Sequence, residues 1–299
     1  MEDITKIFDK TNSIPGMIEI VEQKNLYNIV SKLNLEKNDS LIEFGTFFGR
    51  STYCIAEGLI SNSSKIKNKI YAYDSFSCVE NGTFSKFVFE HAKKNNYFNL
   101  IKITDGTVDF YNVFYKYLKN YIQSDLVQPM KYQLHNSKPP LKGKIAFMHI
   151  DSPKFYDELK FIFQNFFPLM KINSTIIFQD YFYHWSATLI ASVQYLMQLK
   201  KINILNTAAS SLTVIYEKSV SENELDLLEK KMQDLDFILK MLDDAILFTN
   251  NYKVERARIF VPRLILAKFQ IMWENKLYHK ATNFLFNYVK RNKVHENLL

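Results

Sequence analysis

Leu41-Ile42-Glu43-Phe44-Gly45-Thr46-Phe47-Phe48-Gly49-Arg50-Ser51-Thr52 decides how this chain is read. An apolar run ends in Glu-x-Gly, a second glycine follows four residues on, and a helix-like segment, Ser51 to Leu59, comes next. The chain has only 7 glycines in 299 residues, so two at one strand-to-helix turn are a concentrated signal. Glycine lets such a turn adopt positive φ and lets a ligand approach the backbone. The acid suits a ligand's hydroxyl or ammonium groups, whereas a phosphate cradle would lack it. The spacing is not G-x-G-x-x-G, which disfavours a dinucleotide site.

Working outward, residues 17–34 space their apolar positions as a helix ahead of this first strand. Short apolar runs then alternate with helical segments. The expected strands are Ser40–Phe44, Ile70–Asp74, Leu100–Thr104, Lys144–Asp151, Thr175–Asp180, Ile202–Leu205 and Leu212–Glu217. The expected helices are Ser51–Leu59, Thr83–Asn95, Phe110–Ile122, Tyr156–Phe167 and Ser186–Lys200. Such alternation predicts an α/β fold, a mostly parallel Rossmann-like sheet of seven strands with helices on both faces. The last two strands lack a long helix between them, which a dehydrogenase would have. Gln123–Gly143, rich in Gln, Asn, Ser, Pro and Lys, reads as an insertion before the fourth strand. From Glu222 the pattern is helical: an amphipathic acidic stretch to Asp243, a break at Asn250–Arg256, then Arg258–Arg291 alternating aromatics with Lys and Arg. The expected division is a sheet domain over 1–218 and a helical C-terminal extension over 219–299.

Net charge is +7 and unevenly placed. Residues 251–299 hold 10 Lys+Arg against 3 Asp+Glu, so of the 38 and 31 in the whole chain the first 250 residues carry 28 of each. A neutral sheet domain argues against tracking a phosphate backbone, and nucleic acid is not the expected substrate. The basic, aromatic tail could meet a membrane surface or another polyanion. The plainer reading of Phe260, Leu264, Ile265, Phe269, Trp273 and Leu277 is packing on the sheet domain or on a second copy, making a homo-oligomer. Apolar runs are too short for a membrane span, and Met1–Ile14 shows no secretory pattern. Cys54 and Cys78 have no zinc-like spacing and read as free thiols, which predicts a cytoplasmic protein.

Four expected strands finish on or near an acid: Glu43, Asp74, Asp151 and Asp180. Ligands of a doubly wound sheet sit beyond the carboxyl ends of its strands, so these acids can share one cleft. Asp74, with Ser75 beside it, can accept two hydrogen bonds from a ribose diol, or can be a helix cap. Asp105-Gly106 can wall an adenine ring or be an ordinary turn. Asp151 and Asp180 from adjacent strands could hold Mg²⁺, or one could serve as a base toward a hydroxyl. His149 lies within a strand and reads as packed. His184, in the aromatic loop Tyr181–Trp185, could face an acceptor as a base.

With these residues in place the chain resembles the macrocin O-methyltransferase (TylF-like) family of class I S-adenosylmethionine (SAM)-dependent enzymes, over roughly residues 15–217. The resemblance rests on Glu43–Ser51, on Tyr73-Asp74-Ser75-Phe76, on His149-Ile150-Asp151 with Tyr156, and on Phe167-Pro168-Leu169-Met170 leading to Ile176–Tyr181. It implies methyl transfer from SAM to a hydroxyl of a sugar or other small molecule. Glu43, Gly45, Thr46, Phe47, Gly49 and Ser51 would surround the cofactor's methionine and ribose, and Asp74 its ribose. It also implies Asp151 and Asp180 as catalytic or metal-ligating acids. The family's acid next to Asp180 is Gln179 here, Ser152-Pro153 follows Asp151, and the usual Gly-Gly before the fifth strand is Asn173-Ser174.

Overall fold

A computed structural model describes residues 4–64, 68–131, 141, 143–152, 155–251 and 256–291. Two helices, α1 (Ile4–Ser13) and α2 (Ile20–Val30), precede strand β1 (Ser40–Phe44) and helix α3 (Arg50–Ser61). Then come β2 (Lys69–Asp74), β3 (Ser77–Val79), α4 (Thr83–Lys94), β4 (Lys102–Thr104), β5 (Thr107–Asp109), α5 (Tyr111–Gln123) and β6 (Val127–Lys131). The second half runs β7 (Ile145–Ile150), α6 (Tyr156–Phe166), β8 (Met170–Phe178), α7 (Ala187–Gln198), β9 (Ile202–Ala208) and β10 (Ser211–Tyr216). Four helices close the chain: α8 (Glu222–Met232), α9 (Leu235–Asn251), α10 (Ala257–Glu274) and α11 (Tyr278–Arg291).

Seven strands form one sheet in the order β6-β2-β1-β7-β8-β10-β9. Strand β10 is antiparallel to both neighbours, and the pairings β2 with β6, β1 with β2, β1 with β7 and β7 with β8 are parallel. This is the strand order of the Rossmann-like methyltransferase fold, with helices on both faces. The order reverses between β1 and β7, which places a crevice beyond their carboxyl ends. Alternation along β1 feeds two cores. Ile42 and Phe44 join the layer built with α6, α7 and α10, whereas Leu41 joins the layer built with α1, α2, α3 and α5.

Two expectations are corrected. The third strand of the main sheet is β6, from the segment read as an insertion, and not Leu100–Thr104. Pro129 sits inside β6 opposite Ala72, and a proline within a strand is compatible with an edge position only, which masks the pattern. Residues 132–140 and 142 of the expected insertion lie outside the described residues. The run expected as strand three contributes β4 to a separate three-stranded antiparallel sheet, order β3-β5-β4. The N-terminal segment forms α1, whose Ile7 and Phe8 are buried.

The C-terminal helices pack onto the face that carries α7. Phe260 stacks on Phe182 with ring centroids 4.7 Å apart, and Leu264 and Ile265 are buried beside it. Phe269 and Leu277 are partly buried, whereas Trp273 is exposed. The helical pattern over Arg258–Arg291 forms two helices, α10 and α11, which part near Lys276, whose φ is +61°. Among the described residues no helix is long and apolar enough to cross a membrane.

Candidate active site

The turn after β1 is built for close passage of backbone. Gly45 has φ +87° and Gly49 φ +93°, both in the left-handed region. A Cβ on Gly45 would lie 2.7 Å from the Ser152 amide nitrogen. The reason is topological: the amides of Asp151 and Ser152 both donate to the Phe44 carbonyl, at 2.9 and 3.1 Å, so the chain leaving β7 crosses the turn. A Cβ on Gly49 would crowd Leu118 of α5 at 3.0 Å. Both glycines therefore serve protein–protein approach. Ser51 is buried in the first turn of α3.

Glu43 is wholly buried, with Thr52 Oγ1 donating to its Oε2 at 2.5 Å and His149 Nδ1 lying 3.2 Å from its Oε1. Glu43, expected beside a ligand, here ties β1 to α3 and β7. His149, read as packed, is the other half of this pair. Burial opposes charge on His149, but the hydrogen bond and charge of Glu43, with Asp151 nearby, outweigh it and raise the imidazole above its ordinary pKa.

Asp74, at the end of β2, reaches across to the same turn. Its two carboxylate oxygens accept the amides of Phe47 at 2.8 Å and Phe76 at 2.7 Å. Burial pushes its pKa up to about 6 despite those two bonds, and Glu43 adds to the rise. The Thr46 hydroxyl is buried in the turn with no hydrogen-bond partner. Phe47 lies among aromatic rings, 4.9 Å from Phe84, 5.6 Å from Phe87 and 5.4 Å from Phe110 between centroids. Ser75 is exposed and donates to the Ser77 carbonyl at 2.9 Å, a turn bond. Asp105 is exposed in the hairpin between β4 and β5, with φ +49°. The ordinary turn was its alternative reading. Sequence reasoning missed Phe84 and Phe87, whose three-residue spacing on α4 puts them on one face. It also missed the Lys131–Asp109 ion pair, 3.1 Å, across from Asp74 on β6.

The rim at β7 and β8 is more open. Asp151 follows β7 and Asp180 follows β8, both partly exposed, and Asp180 has φ +60°. The Trp185 indole N–H donates to Asp180 Oδ2 at 3.4 Å, and His184 packs on Trp185 with ring centroids 4.7 Å apart. Gln179, the position that could have joined Asp180 on a metal, turns inward instead. Its Nε2 donates to Glu22 Oε1 at 2.8 Å, and Ser211 Oγ donates to its Oε1 at 2.6 Å. Glu22, buried on α2, also accepts from the Ser210 amide at 3.1 Å and the Glu19 amide at 2.8 Å. Among the described residues no cluster of three His, Cys, Asp or Glu side chains could hold a metal ion, so Mg²⁺ between Asp151 and Asp180 gains no support.

Beside this rim lies a cavity of about 330 Å³, bordered by Phe155 and Tyr156 at the start of α6, His184 and Trp185 after β8, and Gln270 and Glu274 of α10.

Residues 42–181 match the family model of a methyltransferase domain. That span runs from β1 to the loop after β8 and contains the glycine turn, Asp74, Asp151 and Asp180. No curated protein matches the chain. Among solved structures, the chain is similar to the O-methyltransferase NovP at 14% identity, covering 68% of this chain and 82% of that one, TM-score 0.48. It is similar to the TDP-rhamnose 3'-O-methyltransferase CalS11 of calicheamicin biosynthesis at 14% identity, covering 66% and 78%, TM-score 0.42. It is also similar to a Bacillus cereus O-methyltransferase in complex with SAH at 13% identity, covering 73% and 92%, TM-score 0.42.

Proposed function

We propose that this chain is a SAM-dependent methyltransferase that methylates a hydroxyl of a sugar or other small molecule, in the manner of the macrocin O-methyltransferases it resembles. The observation that carries this reading is a conjunction within the family-matched span. The left-handed glycine turn, the carboxylate that grips it from β2, and two further acids all lie along the carboxyl edge where the strand order reverses.

The residues present fit such a cofactor. The Thr46 hydroxyl lacks a partner in a buried turn, and an unmet buried hydroxyl costs about 1–3 kcal/mol that a ligand bond would offset. Asp74 uses one lone pair on each oxygen for a backbone amide and keeps others for ribose hydroxyls. Phe84 and Phe87 are 38% and 36% exposed beside Phe47 and offer an apolar face for a purine. Bound SAM supplies an already electrophilic methyl group.

The chain's own task is to align an acceptor oxygen and take its proton. Asp151 is assigned as the residue that receives that proton, with Asp180 supporting it. His184, on the cavity wall, is the second candidate. The proposal is tested by calorimetry with SAM and with S-adenosylhomocysteine (SAH), with and without Mg²⁺. Saturable micromolar binding that ignores Mg²⁺ is the expected result. Absence of saturable heat from either compound would overturn the proposal.

A further inference from the structure

The cavity beside β7 and β8 is walled by residues from three parts of the chain, and four of them, Ala267, Gln270, Ile271 and Glu274, belong to the C-terminal extension. We infer that α10 completes the acceptor site, and that this site takes a single neutral or ammonium-bearing hydroxylated ring, not a phosphorylated or carboxylated one. The inference rests on the methyltransferase reading for what happens to the ring, but the binding site itself does not depend on it.

Size, shape and charge carry the inference. About 330 Å³ lies at the lower end of the range for small-molecule pockets, which suits one ring better than an extended ligand. The indole of Trp185 and the rings of Tyr156 and Phe155 supply flat apolar surface for the C–H face of a sugar. Tyr183 stacks on Trp185 at 4.2 Å, and Tyr183 in turn has the Arg263 guanidinium of α10 4.1 Å from its ring centroid. The Trp185 indole N–H points to Asp180, which joins the cavity to the acidic rim where the proton is removed.

The polar wall is Gln270 and Glu274, one helical turn apart and joined by a bond from Gln270 Nε2 to Glu274 Oε1 at 2.8 Å. That bond orients both groups and leaves the second Glu274 oxygen and the Gln270 carbonyl as acceptors. Hydroxyl or ammonium donors match such a wall, and an ammonium gains further from the aromatic faces. No Lys or Arg is among the described lining residues, whereas Glu274 sets a negative charge against an anionic ligand.

The test uses the full-length chain with Trp273→Phe, which leaves Trp185 as the single tryptophan. Its emission is titrated, with SAH present, by methyl glucoside, its 2-amino analogue and the corresponding uronate. The expected result is a saturable change with the first two, the amino sugar binding tighter than the uronate by about ten-fold or more. Glu274→Lys, a substitution at an exposed helix end, should reverse that order. No saturable change with the neutral and amino sugars, tightest binding of the uronate, or an order unmoved by Glu274→Lys would each overturn the inference. SAH calorimetry on the same proteins separates the two readings. Sugar binding without SAH binding removes the cofactor reading alone, and SAH binding without sugar binding removes the α10 site alone.

Discussion

The rim at β1 and β2 differs from the rim at β7 and β8 in how its carboxylates are held. Glu43 is sealed from solvent with each oxygen engaged by another element, and Asp74 spends both oxygens on backbone amides of the turn. Asp151 and Asp180 stand partly exposed at loop positions, with an indole as a neighbour of the latter. One pair of acids ties neighbouring elements together, through side chains for Glu43 and backbone amides for Asp74, and the other pair is partly exposed to solvent. Preorganisation on one side and access on the other is what a two-substrate crevice needs. A cofactor site profits from rigidity, whereas a proton acceptor must meet its partner.

This contrast can be broken by substitution. Asp151→Asn should lower methyl transfer by about 10³-fold, within the usual span for a lost general base, while SAH affinity stays within a few-fold. A near-normal rate would remove Asp151 from the role given to it. Glu43→Ala should instead cost about 3 kcal/mol of stability because His149 is left buried without its partner. Urea unfolding that finds both variants equally stable would erase the distinction between the rims.

A smaller effect sharpens the first rim. The folded pKa of Asp74, about 6, is above the roughly 3.9 of an unfolded chain. A raised acid favours the folded state fully below the unfolded value, and that contribution is lost as pH rises through the folded one. Wild-type stability should therefore fall by on the order of 1–2 kcal/mol between pH 4 and pH 7 through this group. Asp74→Asn should flatten the slope and weaken SAH binding. An unchanged slope by urea unfolding at the two pH values would show that Asp74 is not desolvated as described.

Much of this architecture is legible in residue order. Ser40–Phe44 with its two glycines fixes β1 and the turn, because few residues tolerate φ near +90°. The βα alternation fixes the parallel part of the sheet. What stays hidden has physical causes. Strand β6 carries Pro129 and polar neighbours, so its membership depends on pairing with β2 and not on its own periodicity. Glu43 reads as a ligand acid because its partner, His149, is 106 residues away. Gln179 reads as a weakened metal ligand because Glu22 is 157 residues away and nothing local announces that bond. The cavity is invisible in sequence for the same reason: α10 meets the β8 loop only in three dimensions.

The Glu22–Gln179 link has a consequence for the chain's front end. Helix α2 is a brace across the sheet, because one carboxylate on it gathers the end of β8 and Ser210 and Ser211 at the start of β10. Trimming the protein back to β1 would take that carboxylate away from the Gln179 amide and from Ser210. Damage done at the amino terminus would thus surface at the opposite flank, in the loop that carries Asp180.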